Sequence, residues 1–122
     1  AVRQSPFATQ SFANPNVQLA LHLIQQRQGK ITIQHLANEV GISTRQLERL
    51  FLQDVGSTPK TFSKIIRLQH ALRLLEAPSQ SSLAQVAHTC GFTDQAHLAN
   101  EFRRAMGTTI TSYLNAWCEI NL

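Results

Sequence analysis

The sequence predicts an all-α fold in which two similar helical units are joined by a long central helix. Apolar residues recur at helical spacing along the chain, and no stretch shows the alternation of a strand. The five glycines stand at positions 29, 41, 56, 91 and 107, where each marks the end of an apolar pattern. A set of residues from the first half also recurs in the second half, which indicates an internal repeat.

The chain has 122 residues and a mass of 13.6 kDa, the size of one domain. Its apolar fraction of 43% suffices for a packed core. Lysine and arginine outnumber aspartate and glutamate by 11 to 7, and the isoelectric point near 9.7 is typical of nucleic-acid-binding domains. The apolar runs are too short for a transmembrane helix, so we expect no membrane partner. No signal-peptide pattern opens the sequence. Because an initiating Met is also lacking, we expect a fragment or a processed form.

The cysteines and histidines indicate neither a disulfide scaffold nor a metal site. There are two cysteines, Cys90 and Cys118, and Cys90 precedes a glycine at a predicted helix end, where a buried thiol is expected. This usage fits a reducing, cytoplasmic compartment. The five histidines lack the spacing of zinc ligands. We therefore expect no metal and no cofactor.

The first two helices are predicted from their caps. Residues 1–13 show no periodicity and are predicted to be a linker or a disordered arm. Asn14 and Pro15 supply an N-cap followed by an N1 proline, and the helix they begin should stop at Gly29. A second helix should begin after Thr32 and end at Gly41. The apolar positions of these two helices are Val17, Ala20, Leu21, Ile24, Ile33, Leu36, Ala37 and Val40.

The third helix has the most complete start signal. Ser43 is the predicted N-cap and Gln46 stands three residues on, the pattern of a capping box. Ile42 and Leu47 are placed to form a hydrophobic staple across this cap. Leu47, Leu50 and Phe51 should form the inner face, and Gly56 should end the helix.

Thr58 and Pro59 then begin a long helix that should run to about Glu76 and be closed by Pro78. The predicted core positions of this helix are Phe62, Ile65, Ile66, Leu72 and Leu75. Its two arginines, at positions 67 and 73, have two possible roles: contact with phosphate or an internal ion pair.

The repeat defines the second half. Residues 33, 36, 37, 41 and 42 recur as Leu83, Val86, Ala87, Gly91 and Phe92, an offset of 50. Residues 47, 51, 55, 56 and 62 recur as Leu98, Phe102, Met106, Gly107 and Tyr113, an offset of 51. One residue was therefore added at the second turn, which moves the cap to Thr93 or Asp94. Ser82 and Gln85 form another capping-box pattern. The predicted segments are 14–57, a connecting helix at 58–77, and 78–122.

A short helix, a glycine turn and a longer second helix make up the helix-turn-helix plan, here in two homeodomain-like copies with about seven helices in all. The second helix of such a unit projects a polar face into the major groove of DNA. Arginine, glutamine and asparagine read base edges there through paired hydrogen bonds. These residue types occupy the outer faces of both second helices. The sequence therefore predicts a double-stranded DNA-binding domain.

The sequence resembles the AraC/XylS family of bacterial transcription regulators. The stretches LANEVGISTRQLERLFLQDVGSTPKTFSKIIRLQHALRLL and LAQVAHTCGFTDQAHLANEFRRAMGT carry the resemblance, which extends from about Ile31 to Tyr113. It implies sequence-specific binding to promoter DNA, a sensor or dimerisation domain before this one, and RNA polymerase as a partner. The chain departs from the family pattern at Ile110, where a proline is usual, and at Leu114, where an arginine is common.

The residues predicted to contact DNA fall into two groups. The base-reading group is Arg45, Glu48, Arg49, Gln95, His97 and Asn100. The backbone group is Thr32, Thr44, Ser82, Arg103 and Arg104. Glu48 could instead pair with Arg45 or face another protein. Gln46 belongs to neither group, because its side chain could be used fully by its cap.

Three other classes of function are considered. An all-α protein-interaction module and a sequence-blind architectural DNA binder are the alternatives to a sequence-specific regulator. An enzyme is not expected, because the chain lacks a nucleophile elbow, a phosphate-binding loop and a paired acid and base.

The connecting helix should measure about 27 Å, of the order of one turn of DNA. We therefore expect contact with two successive major grooves over an asymmetric site of about 20 base pairs.

Overall fold

The computed structural model describes residues 14–77 and 82–120, and these residues form seven α-helices and no strand. The helices are α1 (Pro15–Gln26), α2 (Ile33–Val40), α3 (Thr44–Val55), α4 (Pro59–Glu76), α5 (Leu83–Thr89), α6 (Gln95–Met106) and α7 (Ile110–Ile120). The all-α prediction is confirmed. The predictions of an arm at 1–13 and of a stop at Pro78 lie outside the described residues.

The chain divides into two compact units, the first ending at Ile66 and the second beginning at Arg67. The first unit contains α1, α2, α3 and the beginning of α4, and the second contains the remainder of α4 with α5, α6 and α7. The division falls within the predicted connecting segment 58–77, since α4 supplies residues to both cores.

Side-chain caps set the helix starts where the sequence places them. The Asn14 side chain accepts a hydrogen bond from the Asn16 N–H at 2.8 Å, and Thr32 accepts from the His35 N–H at 3.1 Å. Ser43 accepts from the Gln46 N–H at 3.1 Å, but no reciprocal bond from Gln46 is present among the described residues. The predicted capping box at Ser43 is therefore only half formed.

The box at the start of α5 is complete. Ser82 Oγ accepts from the Gln85 N–H at 3.1 Å, and the Ser82 N–H donates to Gln85 Oε1 at 3.0 Å. The prediction at Ser82 and Gln85 is confirmed.

Each unit has its own apolar core. The first is formed by Val17, Ala20, Leu21, Ile24, Ile31, Leu36, Ala37, Leu47, Phe51, Phe62 and Ile66. The second is formed by Leu68, Ala71, Val86, Ala87, Cys90, Phe92, Leu98, Phe102 and Ile110. Cys90 is buried, as predicted, and its Sγ lies 3.6 Å from His70 Nδ1. Among the described residues, no helix is long and apolar enough to span a membrane.

The core prediction for α4 is partly wrong. Phe62 and Ile66 are buried, but Ile65 is 43% exposed. Leu68 and Ala71, which the sequence analysis did not select, are buried instead. The physical reason is that the two halves of α4 serve two different cores, so its apolar residues do not follow one continuous helical stripe.

The repeat is confirmed by matching contacts in the two units. The rings of Phe51 and Phe62 meet edge to face with centroids 5.7 Å apart, and those of Phe102 and Tyr113 do the same at 5.6 Å. Ile110, at the position where the first unit has Pro59, begins α7 and is buried in the second core. The departure from proline there leaves the helix start intact.

A hydrogen bond from Tyr113 to Glu76 joins α7 to the end of α4. The phenolic O–H donates to Glu76 Oε2 at 2.7 Å. This bond, followed by partial desolvation of the ring and the negative charge of Glu76, raises the pKa of Tyr113 above its ordinary value of 10.0. The unfolded chain therefore releases this proton at lower pH than the folded chain does.

We expect Tyr113 to make the protein less stable at alkaline pH. Its contribution is fully present below pH 10.0 and is lost as the pH rises through the higher folded-state value. Urea unfolding at several alkaline pH values, compared between the parent chain and Tyr113→Phe, measures this contribution. The difference between the two free energies of unfolding should shrink as the pH rises, and a constant difference would contradict this account.

Candidate nucleic-acid interface

The turns before the two second helices share a glycine in the left-handed conformation and one backbone hydrogen bond, although the second turn is one residue longer. Gly41 ends α2 in the left-handed conformation, with φ of 91°. The Ile42 N–H then donates back to the Ala37 carbonyl at 3.1 Å, and the Phe92 N–H donates to the Ala87 carbonyl at 2.9 Å. Both alanines are buried, and their small side chains allow the paired helices to approach closely. These features orient α3 and α6, the second helices of the two units.

The outer face of α3 carries the predicted base-reading residues of the first unit. Leu47 and Phe51 point into the core, whereas Arg45, Glu48 and Arg49 are exposed. Within the described part of the chain, no acidic side chain lies at ion-pair distance from either arginine. The alternative in which Glu48 pairs with Arg45 is therefore not seen. Both guanidinium groups can donate to an external acceptor.

The outer face of α6 is composed differently. Gln95, Asn100 and Arg103 are exposed on it. The Arg104 guanidinium lies 3.7 Å from the Glu101 carboxylate, although its side chain remains 74% exposed. The α6 face therefore carries two amides, Gln95 and Asn100, and two arginines further along the helix.

His97 is placed differently from the other predicted base readers. Its ring Nδ1 accepts a hydrogen bond from the Thr93 backbone N–H at 3.0 Å, and the His97 backbone N–H donates to Asp94 Oδ1 at 2.7 Å. Asp94 is thus the N-cap of α6, one of the two positions predicted. The sequence predicts His97 on the outer face, and its side chain is 36% exposed there, while its ring Nδ1 is engaged in the local turn.

Three of the five residues predicted to contact the DNA backbone lie at helix starts. Thr32 caps α2 and Ser82 caps α5, while Thr44 is the first residue of α3, and all three are exposed. The unpaired N–H groups and the positive dipole end at such starts suit phosphate oxygens.

The two arginines of α4 differ in their surroundings. The Arg67 guanidinium lies over the Phe92 ring, 5.6 Å from its centroid, a cation–π contact that the sequence analysis did not anticipate. Arg73 is exposed in the last turn of the helix. In the described ranges, no group of three histidine, cysteine or acidic side chains is arranged to hold a metal ion.

Residues 36–116 match the Helix-turn-helix domain family, and they include both second helices and all of α4. The chain belongs to the AraC-type family of helix-turn-helix transcription regulators. It is 34% identical over 107 residues to the "HTH-type transcriptional activator RhaS" of Pectobacterium carotovorum, which covers 85% of this chain and 38% of that protein. The AraC-type relatives are thus longer than this chain.

Solved structures show the same fold. An AraC-type regulator from Chromobacterium violaceum is 29% identical, with a TM-score of 0.75 over 83% of this chain and 90% of that one. The DNA-binding domain of AdpA, solved in complex with a target DNA, is 27% identical, with a TM-score of 0.72 over 86% of this chain and 94% of that one. Both comparisons cover the two units of the AraC-type domain.

Proposed function

We propose that this domain binds promoter DNA sequence-specifically by placing α3 and α6 in two successive major grooves. The observation that carries the proposal is the polar outer face on the second helix of both units, each lying opposite a buried apolar face. A protein-interaction module would need no such repeated arrangement of arginine and amide side chains. The AdpA domain, described in complex with a target DNA, supports the same conclusion.

The two units are proposed to read bases with different side chains. On α3, Arg45 and Arg49 donate to guanine edges and Glu48 accepts from a cytosine amine. On α6, Gln95 and Asn100 make the corresponding contacts, and the amide of either suits adenine. Because the two faces differ, the site should be asymmetric, over about 20 base pairs.

The phosphate contacts are proposed to come from residues around these faces. They are Thr32, Thr44, Ser82, Arg103 and Arg104. The Arg104 contact requires that its ion pair with Glu101 at 3.7 Å be exchanged or shared, which the high exposure of the arginine allows.

The remaining partners are proposed from the length of a relative and from the family resemblance. The chain spans 38% of the RhaS protein named above, so we propose that a sensor or dimerisation domain precedes it in a longer cytoplasmic regulator. RNA polymerase is the proposed protein partner at the promoter.

The salt dependence of binding, measured on a selected duplex and on random duplexes, tests the proposal. With about six phosphate contacts, log K should fall against log salt with a slope of roughly −5. The selected duplex should also bind more tightly than random ones. A slope near zero would support a protein-interaction module, and equal affinity for all duplexes would support a sequence-blind architectural binder.

A further inference from the structure

The second unit has one residue more than the first at the turn before its second helix. Ile42 corresponds to Phe92 at an offset of 50, and Ser43 corresponds to Asp94 at an offset of 51, so the added residue is Thr93. An added residue in a turn brings an additional backbone N–H that no helix bond satisfies.

His97 supplies the acceptor for this additional donor. The Thr93 backbone N–H donates to His97 Nδ1 at 3.0 Å, while the His97 backbone N–H donates to Asp94 Oδ1 at 2.7 Å. The two bonds close the start of α6 much as the Ser82–Gln85 box closes the start of α5, with an imidazole in place of a carboxamide. The difference is that the donated N–H belongs to Thr93, one residue before the N-cap Asp94, rather than to the N-cap itself.

The same bond fixes the tautomer of the ring. A nitrogen that accepts a hydrogen bond carries no proton, so the neutral imidazole must hold its proton on Nε2. Nε2 lies 3.7 Å from Glu101 Oε1, and the same oxygen lies 3.7 Å from Arg104. The ring also meets Phe92 edge to face, with centroids 5.3 Å apart. The contacts with Thr93, Glu101 and Phe92 together hold the His97 ring in one orientation.

The first unit lacks this arrangement. Gln46 is the counterpart of His97, at an offset of 51, and its side chain makes no hydrogen bond with the described residues. Its turn has no added residue whose N–H needs an acceptor.

We propose that His97 is a positioning residue of the second unit rather than a base reader. In its Nε2–H tautomer it ties Thr93 to the first turn of α6 and so sets the register in which Gln95 and Asn100 meet DNA. The consequence for DNA rests on the proposed function, whereas the tautomer and the Thr93 bond do not.

Nitrogen NMR of the free protein tests the geometric part. We expect His97 to show the Nε2–H tautomer at neutral pH, and an Nδ1–H tautomer would overturn the proposal.

His97→Leu should reduce the protection of the Thr93 amide from hydrogen exchange about three- to tenfold, the effect of losing one hydrogen bond. His97→Gln, which keeps an acceptor, should preserve that protection. Gln46→Leu, the matched change in the first unit, should leave amide protection in its own turn unchanged.

Selection from duplexes randomised in each half-site tests the functional part. His97→Leu should weaken base preference at all positions read by α6 and leave the half-site of α3 unchanged. His97→Gln should retain the parent preference, and it serves as the folded comparison if the leucine variant is unstable.

A change at a single base position in both variants would show that His97 reads that base. An unchanged preference in His97→Leu would show that base contact by α6 does not depend on His97. If no variant and no parent chain prefers any duplex, the proposed function fails, and the NMR result still decides the His97 contacts.

Discussion

Replacement of Leu47 by alanine is expected to lower the free energy of unfolding of the first unit by about 2–5 kcal/mol. Leu47 is fully buried in the core formed with Leu36, Phe51 and Phe62. Ile42 packs against the same core, and the sequence predicts that it contacts Leu47 across the start of α3. The substitution should therefore remove a core side chain together with this apolar contact of the cap. Chemical unfolding followed by circular dichroism measures the loss, while fluorescence of the single tryptophan, Trp117, reports on the second unit.

Leu52→Ala is the matched control for this prediction. It makes the same change of residue type in the same helix, but Leu52 is 55% exposed. Its effect should stay within about 0.5 kcal/mol, as is usual for surface substitutions. Equal effects of the two substitutions would mean that the buried and exposed faces of α3 are wrongly assigned. The outer face proposed to contact DNA would then be wrong as well.

Replacement of Arg49 by alanine should cost about 1–3 kcal/mol of binding free energy on the selected duplex and relax the preference at one base position. The guanidinium is exposed on α3, and among the described residues no acidic side chain lies at ion-pair distance from it. Titration of the variant against the selected duplex and its single-base variants measures both effects.

Arg49→Lys separates base reading from simple charge attraction. Lysine keeps the positive charge but lacks the planar pair of donors that matches a guanine edge. We therefore expect Arg49→Lys to recover non-specific affinity without recovering the base preference. If Arg49→Ala weakens binding equally on selected and random duplexes, and lysine restores both, Arg49 contacts a phosphate.

The helix starts could be predicted from the sequence because their signals are local, whereas α1 ends at Gln26, three residues before the predicted stop at Gly29. Asn14, Thr32 and Ser82 cap the helices that the sequence assigned to them, and Gly41 ends α2 as expected. A cap depends on residues within one turn of each other, so a short pattern is enough to place it. The pattern does not guarantee the complete box, since Ser43 and Gln46 have the same spacing as Ser82 and Gln85 but form only one of the two bonds.

Tertiary contacts were harder to predict. The periodicity of α4 selected Ile65 and passed over Leu68 and Ala71, because a single stripe was assumed for a helix that serves two cores. The contact of Arg67 with Phe92 joins residues far apart in the chain, and no local pattern indicates it.

The candidate site was predictable in its residue types but not in its internal bonds. The exposure of Arg45 and Arg49 follows from the helical positions of Leu47 and Phe51, which the sequence shows directly. The bond that engages His97 depends on the direction of one N–H in the turn. The repeat shows that this turn has one added residue, whose N–H needs a hydrogen-bond acceptor nearby. That need is the signal from which the Thr93–His97 bond could have been predicted.

The most direct test of binding by both units is the affinity of this chain for its selected duplex with five base pairs inserted between the two half-sites. The insertion rotates one half-site to the other side of the helix, because a full turn takes about 10.5 base pairs. If both units bind together, the tether to the first unit raises the effective concentration of the second at its half-site. Loss of contact by the second unit should then weaken binding about a hundredfold or more. The same five base pairs inserted outside the site should have no effect. Undiminished affinity for the interrupted site would contradict the account, since only one unit would then engage DNA.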